Sequence, residues 1–238
     1  MSGDRAVLLY GSYARGDADA HSDVDVLVVG PTTVAAAEIA PLLPVFCQGP
    51  VHISHYTWAE LEAMSNYGSL FLHHVATEAS GLQYEGDARA GLSALLMSLG
   101  PYQLAKRDLI GFRATVCDVE AGLQAGLPPC FELAVLGGVA RHASVLGCYV
   151  AGKPTFGRHS IARAAALLHL GAARDDLEMA HRFRLFEAGQ CDVPKKVSRA
   201  VVQRVVSIVS VFLDRLELIV HANTTELSAP DRRGESLR

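Results

Sequence analysis

Residues 11–25 read GSYARGDADAHSDVD: a Gly-Ser pair, ten intervening residues, then Asp-x-Asp, with the apolar runs VLLY before and VLVV after. No other segment constrains the fold as much. Ala6–Tyr10 is short, β-branched and aromatic, which predicts a buried strand. Gly11 then lets the backbone turn. A Ser-containing turn that opens a short helical segment would aim free backbone N–H groups, and the Ser12 hydroxyl, at an anion such as a triphosphate. Asp23 and Asp25 are two residues apart, so in a strand their carboxylates share one face while Val24 and Val26 point into the core. Paired carboxylates repel. A hard dication such as Mg²⁺, which takes one or two carboxylates plus phosphate oxygens, relieves that repulsion and would bridge to a nucleotide. In a chain of this composition the Gly-Ser, ten-residue gap, Asp-x-Asp pattern arises by chance roughly once in 250 such sequences, so it carries weight as a motif.

The organisation changes near residue 88. Before it, strand-like runs at 6–10, 24–29 and 51–56 alternate with helical patterns at about 33–42 and 57–80. Thr57 and Glu60 have the spacing of a capping box, Gly68 marks a break, and GLQYEG at 81–86 reads as a turn with a short strand. Beyond it, segments 88–99, 101–125, 129–151, 158–170, 175–188 and 193–222 have helical length and period, divided by Gly- and Pro-bearing joints. The last illustrates the period: Val197, Val201, Val205, Ile208, Phe212, Leu216 and Ile219 recur every three or four residues. The expected architecture is α+β: a small mixed β-sheet domain over 1–88, a helical bundle over 89–222, and a tail from 223 to 238 without periodicity.

At Gly11, Ser12, Asp23 and Asp25 the chain resembles the nucleotidyltransferase superfamily that includes DNA polymerase beta. The ten-residue spacing is closest to the minimal nucleotidyltransferases, many of which work beside an all-helical domain. The resemblance implies a Mg²⁺-dependent transfer of a nucleoside monophosphate from a nucleoside triphosphate, ATP by preference, to an acceptor, with release of pyrophosphate. It assigns Gly11 and Ser12 to the phosphates and Asp23 and Asp25 to the metal, and it puts Arg15 of the same loop within reach of the triphosphate. One departure stands out. The superfamily usually carries a third acid on a later strand, and the matching run here, VHISHYT from Val51, has none. His52 aligns with that acid, with Ser54 next along the same face; an imidazole there can accept a proton or ligate a metal. A carboxylate from the helical half, such as Asp118, Glu120 or Glu132, is the alternative source. Without a third acid, a degenerate nucleotide-binding or interaction module is the competing class.

Net charge −4 and a pI near 6.2 argue against tight nonspecific nucleic-acid binding, so a small molecule or a protein is the expected acceptor. The apolar stretch 130–151 is interrupted by Glu132, Arg141 and His142 and reads as a buried helix, so no membrane partner is expected and the setting is cytoplasmic. Five cysteines without Cys-x-x-Cys spacing read as reduced thiols. Helical domains of the HEPN type, some of them ribonucleases, carry Arg, four to six residues, then His. Arg163 to His169 and Arg174 to His181 fit, at about the two matches that chance supplies. His52 with His55 and His73 with His74 read as separate roles and not as one metal site. Lys106, Arg107 and Arg113, on the first long helix of the second half, are candidates to face the triphosphate.

Overall fold

The computed structural model describes residues 4–20, 22–187 and 197–228, with side chains described as far as Ala222. Two compact units divide the chain, 1–104 and 105–238.

The first unit is built on four strands, β1 (Ala6–Tyr10), β2 (Val24–Val29), β3 (Val51–Tyr56) and β4 (Ser80–Tyr84), in the order β3-β2-β1-β4. β1 runs antiparallel to both β2 and β4, and β2 runs parallel to β3, so the sheet is mixed. The parallel pair needs a crossover, supplied by the segment holding α2 (Ala36–Ile39) and a 3₁₀ turn at Ala40–Leu42. β1 and, apart from Asp25, β2 are apolar because both sheet faces are covered. Ala6, Leu8, Tyr10, Leu27 and Val29 pack with Trp58, Leu61, Leu72 and Val75 from α3 (Trp58–Asn66) and α4 (Leu70–Glu78) and with Ala88 and Leu92 from α5 (Ala88–Met97). Val7, Leu9, Val24, Val26 and Val28 pack with Ile39 on the opposite face.

Local signals act as read. The Thr57 hydroxyl accepts from the Glu60 N–H at 3.2 Å while the Glu60 carboxylate accepts from the Thr57 N–H at 2.7 Å, closing the capping box that starts α3. Gly68 (φ 63°) separates α3 from α4, and Ser69 caps α4 through the Phe71 N–H. The unit boundary falls later than residue 88. α5 joins the sheet core through Ala88 and Leu92, and the chain after it is tied back, with Gln103 N–H donating to the Tyr67 carbonyl at 3.0 Å and the His73 ring bonded to the Gly100 carbonyl at 3.1 Å.

The second unit is helical: α6 (Ala105–Gln124), α7 (Pro129–Val150), α8 (Ser160–Leu167), α9 (Arg174–Glu187) and α10 (Arg199–Ser228). α7 is long and apolar enough to cross a membrane by length and composition alone, yet 61% of its most apolar window is buried inside the structure, as in the core helix of a bundle. α10 carries its backbone to Ser228, past the point where the periodic pattern stops, and residues 229–238 of the expected tail lie outside the described ones. The first residues of the helical segment expected at 193–222 lie outside them too.

Candidate active site

The strand register brings the motif together. Tyr10, the last residue of β1, pairs with Asp25 on β2, so the turn at Gly11 begins beside that carboxylate. Gly11 is buried with φ 74°, and a Cβ on it would overlap the Asp25 carboxylate. Only glycine satisfies both conditions. The turn leads into α1 (Gly11–Arg15), whose N-terminus no side chain caps, and Gly16 (φ 76°) ends it. Ser12 is half-buried in its first turn.

Asp23 stands just before β2 and Asp25 within it. Burial pushes the Asp25 carboxyl above the usual range; His52 pulls it back, Asp23 pushes it further, and His74 and Arg15 do not restore it. On the other side β3 is locked to β2 early. Ser22's carbonyl lies where a side chain on Gly49 would be, and Val24 N–H donates to the Pro50 carbonyl at 2.8 Å. The parallel ladder then sets His52 opposite Asp25, with Nδ1 3.8 Å from Oδ1. His52 is 70% exposed and Asp25 31%. Ser54, next along the face, shares a 2.9 Å hydrogen bond with the Tyr10 hydroxyl.

Arg15 is engaged within the unit. Its guanidinium meets Glu78 at 2.5 Å and Asp17 at 3.2 Å, and the same Glu78 oxygen, Oε2, is bonded to His74 at 2.7 Å. Glu78 is only 9% exposed. Burial pushes its carboxyl up, but His74 and Arg15 outweigh burial and hold it below the usual range. His74 also lies edge-on to the Tyr10 ring at 5.5 Å. A half-buried Arg–Glu–His chain therefore fastens α1 to α4 beside the Gly11 turn. Glu78 is the residue that motif reading misses. Its signal is an acid on an apolar stripe, Phe71, Val75 and Glu78 at helical spacing, since an acid on a covered face needs a partner.

The carboxylate and basic candidates outside the motif belong to the second unit. Asp118 and Glu120 lie on α6 and Glu132 is buried in α7 against Gly122, all within the second unit. Arg113 of α6 is taken up by Asp214 at 2.8 Å and Glu217 at 2.6 Å, and Arg107 lies 3.9 Å from Asp108. Arg174 donates to Glu178, one turn along α9. His181 is half-buried with Nδ1 unpartnered, and burial, followed by Arg184, Arg141 and His142, pushes its imidazole down to about 4, neutral at pH 7. His169 sits at φ 56° beyond the end of α8. Cys47, Cys117, Cys130 and Cys148 are free thiols, and Cys191 lies outside the described residues.

Among the described residues no three His, Cys, Asp or Glu side chains form a ready-made ion-holding group. Residues 1–65, which span β1, the Gly11 turn, β2 and β3, match the family model described as "Nucleotidyltransferase domain", and the mixed sheet with its helices fits that fold. No curated protein matches the chain.

Proposed function

With residues 1–65 as a nucleotidyltransferase domain, we propose that this chain moves a nucleoside monophosphate from a nucleoside triphosphate, ATP by preference, to a hydroxyl acceptor. The observation that carries the reading is the placement of the Gly11 turn directly against the Asp25 carboxylate. A phosphate on the turn and a cation on the carboxylate would then be neighbours.

In this reading the backbone N–H groups at the start of α1 and the Ser12 hydroxyl hold the β and γ phosphates. Asp23 and Asp25 hold the dication, Mg²⁺ in the family resemblance, which when bound neutralises charge on the phosphates and the leaving pyrophosphate. His52 takes the third position, where its imidazole has a lone pair for a proton or an ion. Arg15, held by Glu78 and Asp17, keeps α1 in place and presents its guanidinium in the loop that would meet the triphosphate. The acceptor oxygen forms a bond to the α-phosphorus, the bridging oxygen to the β-phosphate leaves with pyrophosphate, and the hydroxyl proton passes to the His52 imidazole or to solvent water. Net charge −4 supports a small-molecule or protein acceptor over nucleic acid. Four free thiols accord with a reducing, cytoplasmic setting.

Incubation of the full chain with each α-³²P-labelled nucleoside triphosphate and Mg²⁺ or Mn²⁺, with and without cell lysate, tests this. The expected result is pyrophosphate release with label on a small molecule or a protein, abolished in the Asp23→Asn, Asp25→Asn double variant. Cation-dependent triphosphate binding with no transfer would replace the transferase by a degenerate binding module. Turnover unchanged in the double variant would remove the carboxylates from the site.

A further inference from the structure

We propose that the seam between α7 and α9 binds a phosphate-type oxyanion, gripped by the Arg184 guanidinium and the His181 imidazole, with Arg141 and His142 adding positive charge at its edge. The site is built wholly from residues of the second unit and goes beyond the transfer reading above.

The backbone gathers these groups. A Cβ on Gly137 would overlap the Ala180 carbonyl, so α7 and α9 meet there backbone to backbone. His181 follows Ala180, and Arg184 lies three residues on, on the same face of α9. The Arg184 Cδ lies 3.9 Å from where a Cβ on Gly138 would be, in ordinary contact with α7. Arg141 and His142 stand one turn after the two glycines. Arg141 is anchored, donating to the Ser160 hydroxyl at 3.1 Å and to the Phe156 carbonyl. His181 and Arg184 are half-buried and His142 is exposed, so a small ion can reach the seam from solvent.

Two nitrogens in this seam, His181 Nδ1 and Arg184 Nε, are covered and have no hydrogen-bond partner among the described residues. A guanidinium keeps its charge, so a covered Nε–H without an acceptor costs free energy that a bound oxygen would restore. The charged groups that act on His181 are Arg184, Arg141 and His142, none of them acidic. Asp108 of α6 bears on His142, where burial, Arg141 and Arg184 outweigh it. A cation is therefore repelled, and an apolar ligand would leave both donors unmet. A phosphate group offers enough acceptor oxygens for the guanidinium and the imidazole N–H together. Arg174, whose spacing to His181 resembles a ribonuclease motif, is turned to Glu178 at 2.8 Å, so the seam is a different grouping from that motif.

The test titrates the full chain, labelled with ¹³C,¹⁵N-histidine and held at fixed ionic strength in NaCl, with inorganic phosphate and separately with ribose 5-phosphate. The His181 ring resonances, assigned by their loss in His181→Gln, are followed by NMR. A saturable shift of His181 is expected, with affinity reduced about tenfold or more in Arg184→Gln, since a charge-assisted bond is removed. Tighter binding of the sugar phosphate supports the site as one for a phosphorylated small molecule, and tighter binding of inorganic phosphate supports it as one for the free ion. No saturable shift with either, or equal affinity in Arg184→Gln, overturns the proposal. Arg184→Gln should keep the parent's circular dichroism, because it removes a charge that the fold leaves unpaired; failure of that variant to fold would mean that the guanidinium is already satisfied within the chain, and overturns the proposal as well.

Discussion

Gly11 and Asp25 occupy one small volume, and the Asp25 carboxylate makes Gly11 costly to change. In Gly11→Ala an L-residue is forced to positive φ, at about 1–2 kcal/mol, and its methyl meets the Asp25 carboxylate. That variant should lose roughly 2–3 kcal/mol in urea denaturation, with triphosphate binding lost alongside. Asp25 works in the opposite sense. Its carboxyl titrates above the usual range, so the stability linked to its protonated form is complete below the unfolded value and is lost as pH rises through the folded one. Asp25→Asn should therefore raise the melting temperature at pH 7, by an amount worth roughly 0.5–2 kcal/mol, and the gain should vanish below the ordinary carboxylate range. Thermal melts of both chains at the two pH values check the sign; a destabilised Asp25→Asn at pH 7 would mean that the carboxylate is better compensated than its burial implies.

The Arg15–Glu78–His74 chain belongs to the scale of elements, because it holds α1 against α4. Glu78→Ala removes the oxygen that Arg15 and His74 share and leaves Arg15 its longer 3.2 Å pair with Asp17, so it should cost about 1–3 kcal/mol. A double-mutant cycle with Arg15→Ala should show that the two losses do not add. Glu78 titrates below its usual range, so its contribution is present above the unfolded value and disappears as pH falls through the folded one. Glu78→Gln should thus be weaker than the parent at pH 7 and indistinguishable from it in acid. The elements themselves were readable wherever the determinants are local, as in the Thr57–Glu60 box, the Gly68 break and the apolar runs of β1 and β2. His52 was singled out through the family resemblance alone, as the residue aligned with the third acid, and its place opposite Asp25 comes from the parallel register of β2 and β3. Glu78 was not: its partner Arg15 is 63 residues away in the chain, and no periodicity encodes a side-chain meeting at that separation. The same holds for Arg113, exposed on its own helix and claimed by Asp214 and Glu217 a hundred residues on.

For the chain as a whole, the change from strands to helices places a boundary near residue 88, whereas packing places it at 104. The difference is physical. A shift in periodicity marks where strands stop, but a folding unit ends where its apolar surface is closed. Leu92 of α5 is 3% exposed in the sheet core, and the 98–103 segment lies against the α3–α4 joint, where the backbone of Gly100 and Pro101 fills the space a side chain on Gly68 would need. A fragment of residues 1–104 should therefore unfold cooperatively in urea, with a stability in the range of roughly 5–15 kcal/mol usual for a domain. A fragment of residues 1–88 lacks both closures and exposes the floor under Leu92. At about 1.5–3 kcal/mol for each large apolar side chain withdrawn, loss of α5 and the following strap removes much of that margin. Trp58, the chain's one tryptophan, is 7% exposed in this core and donates its indole N–H to the Asp4 carbonyl at 2.8 Å, so its fluorescence reports the transition directly. A sharp transition for 1–104 with a broad or absent one for 1–88 supports closure by α5. Equal transitions in the two fragments would mean that the sheet with α3 and α4 is sufficient, and that the boundary lies where the periodicity changes.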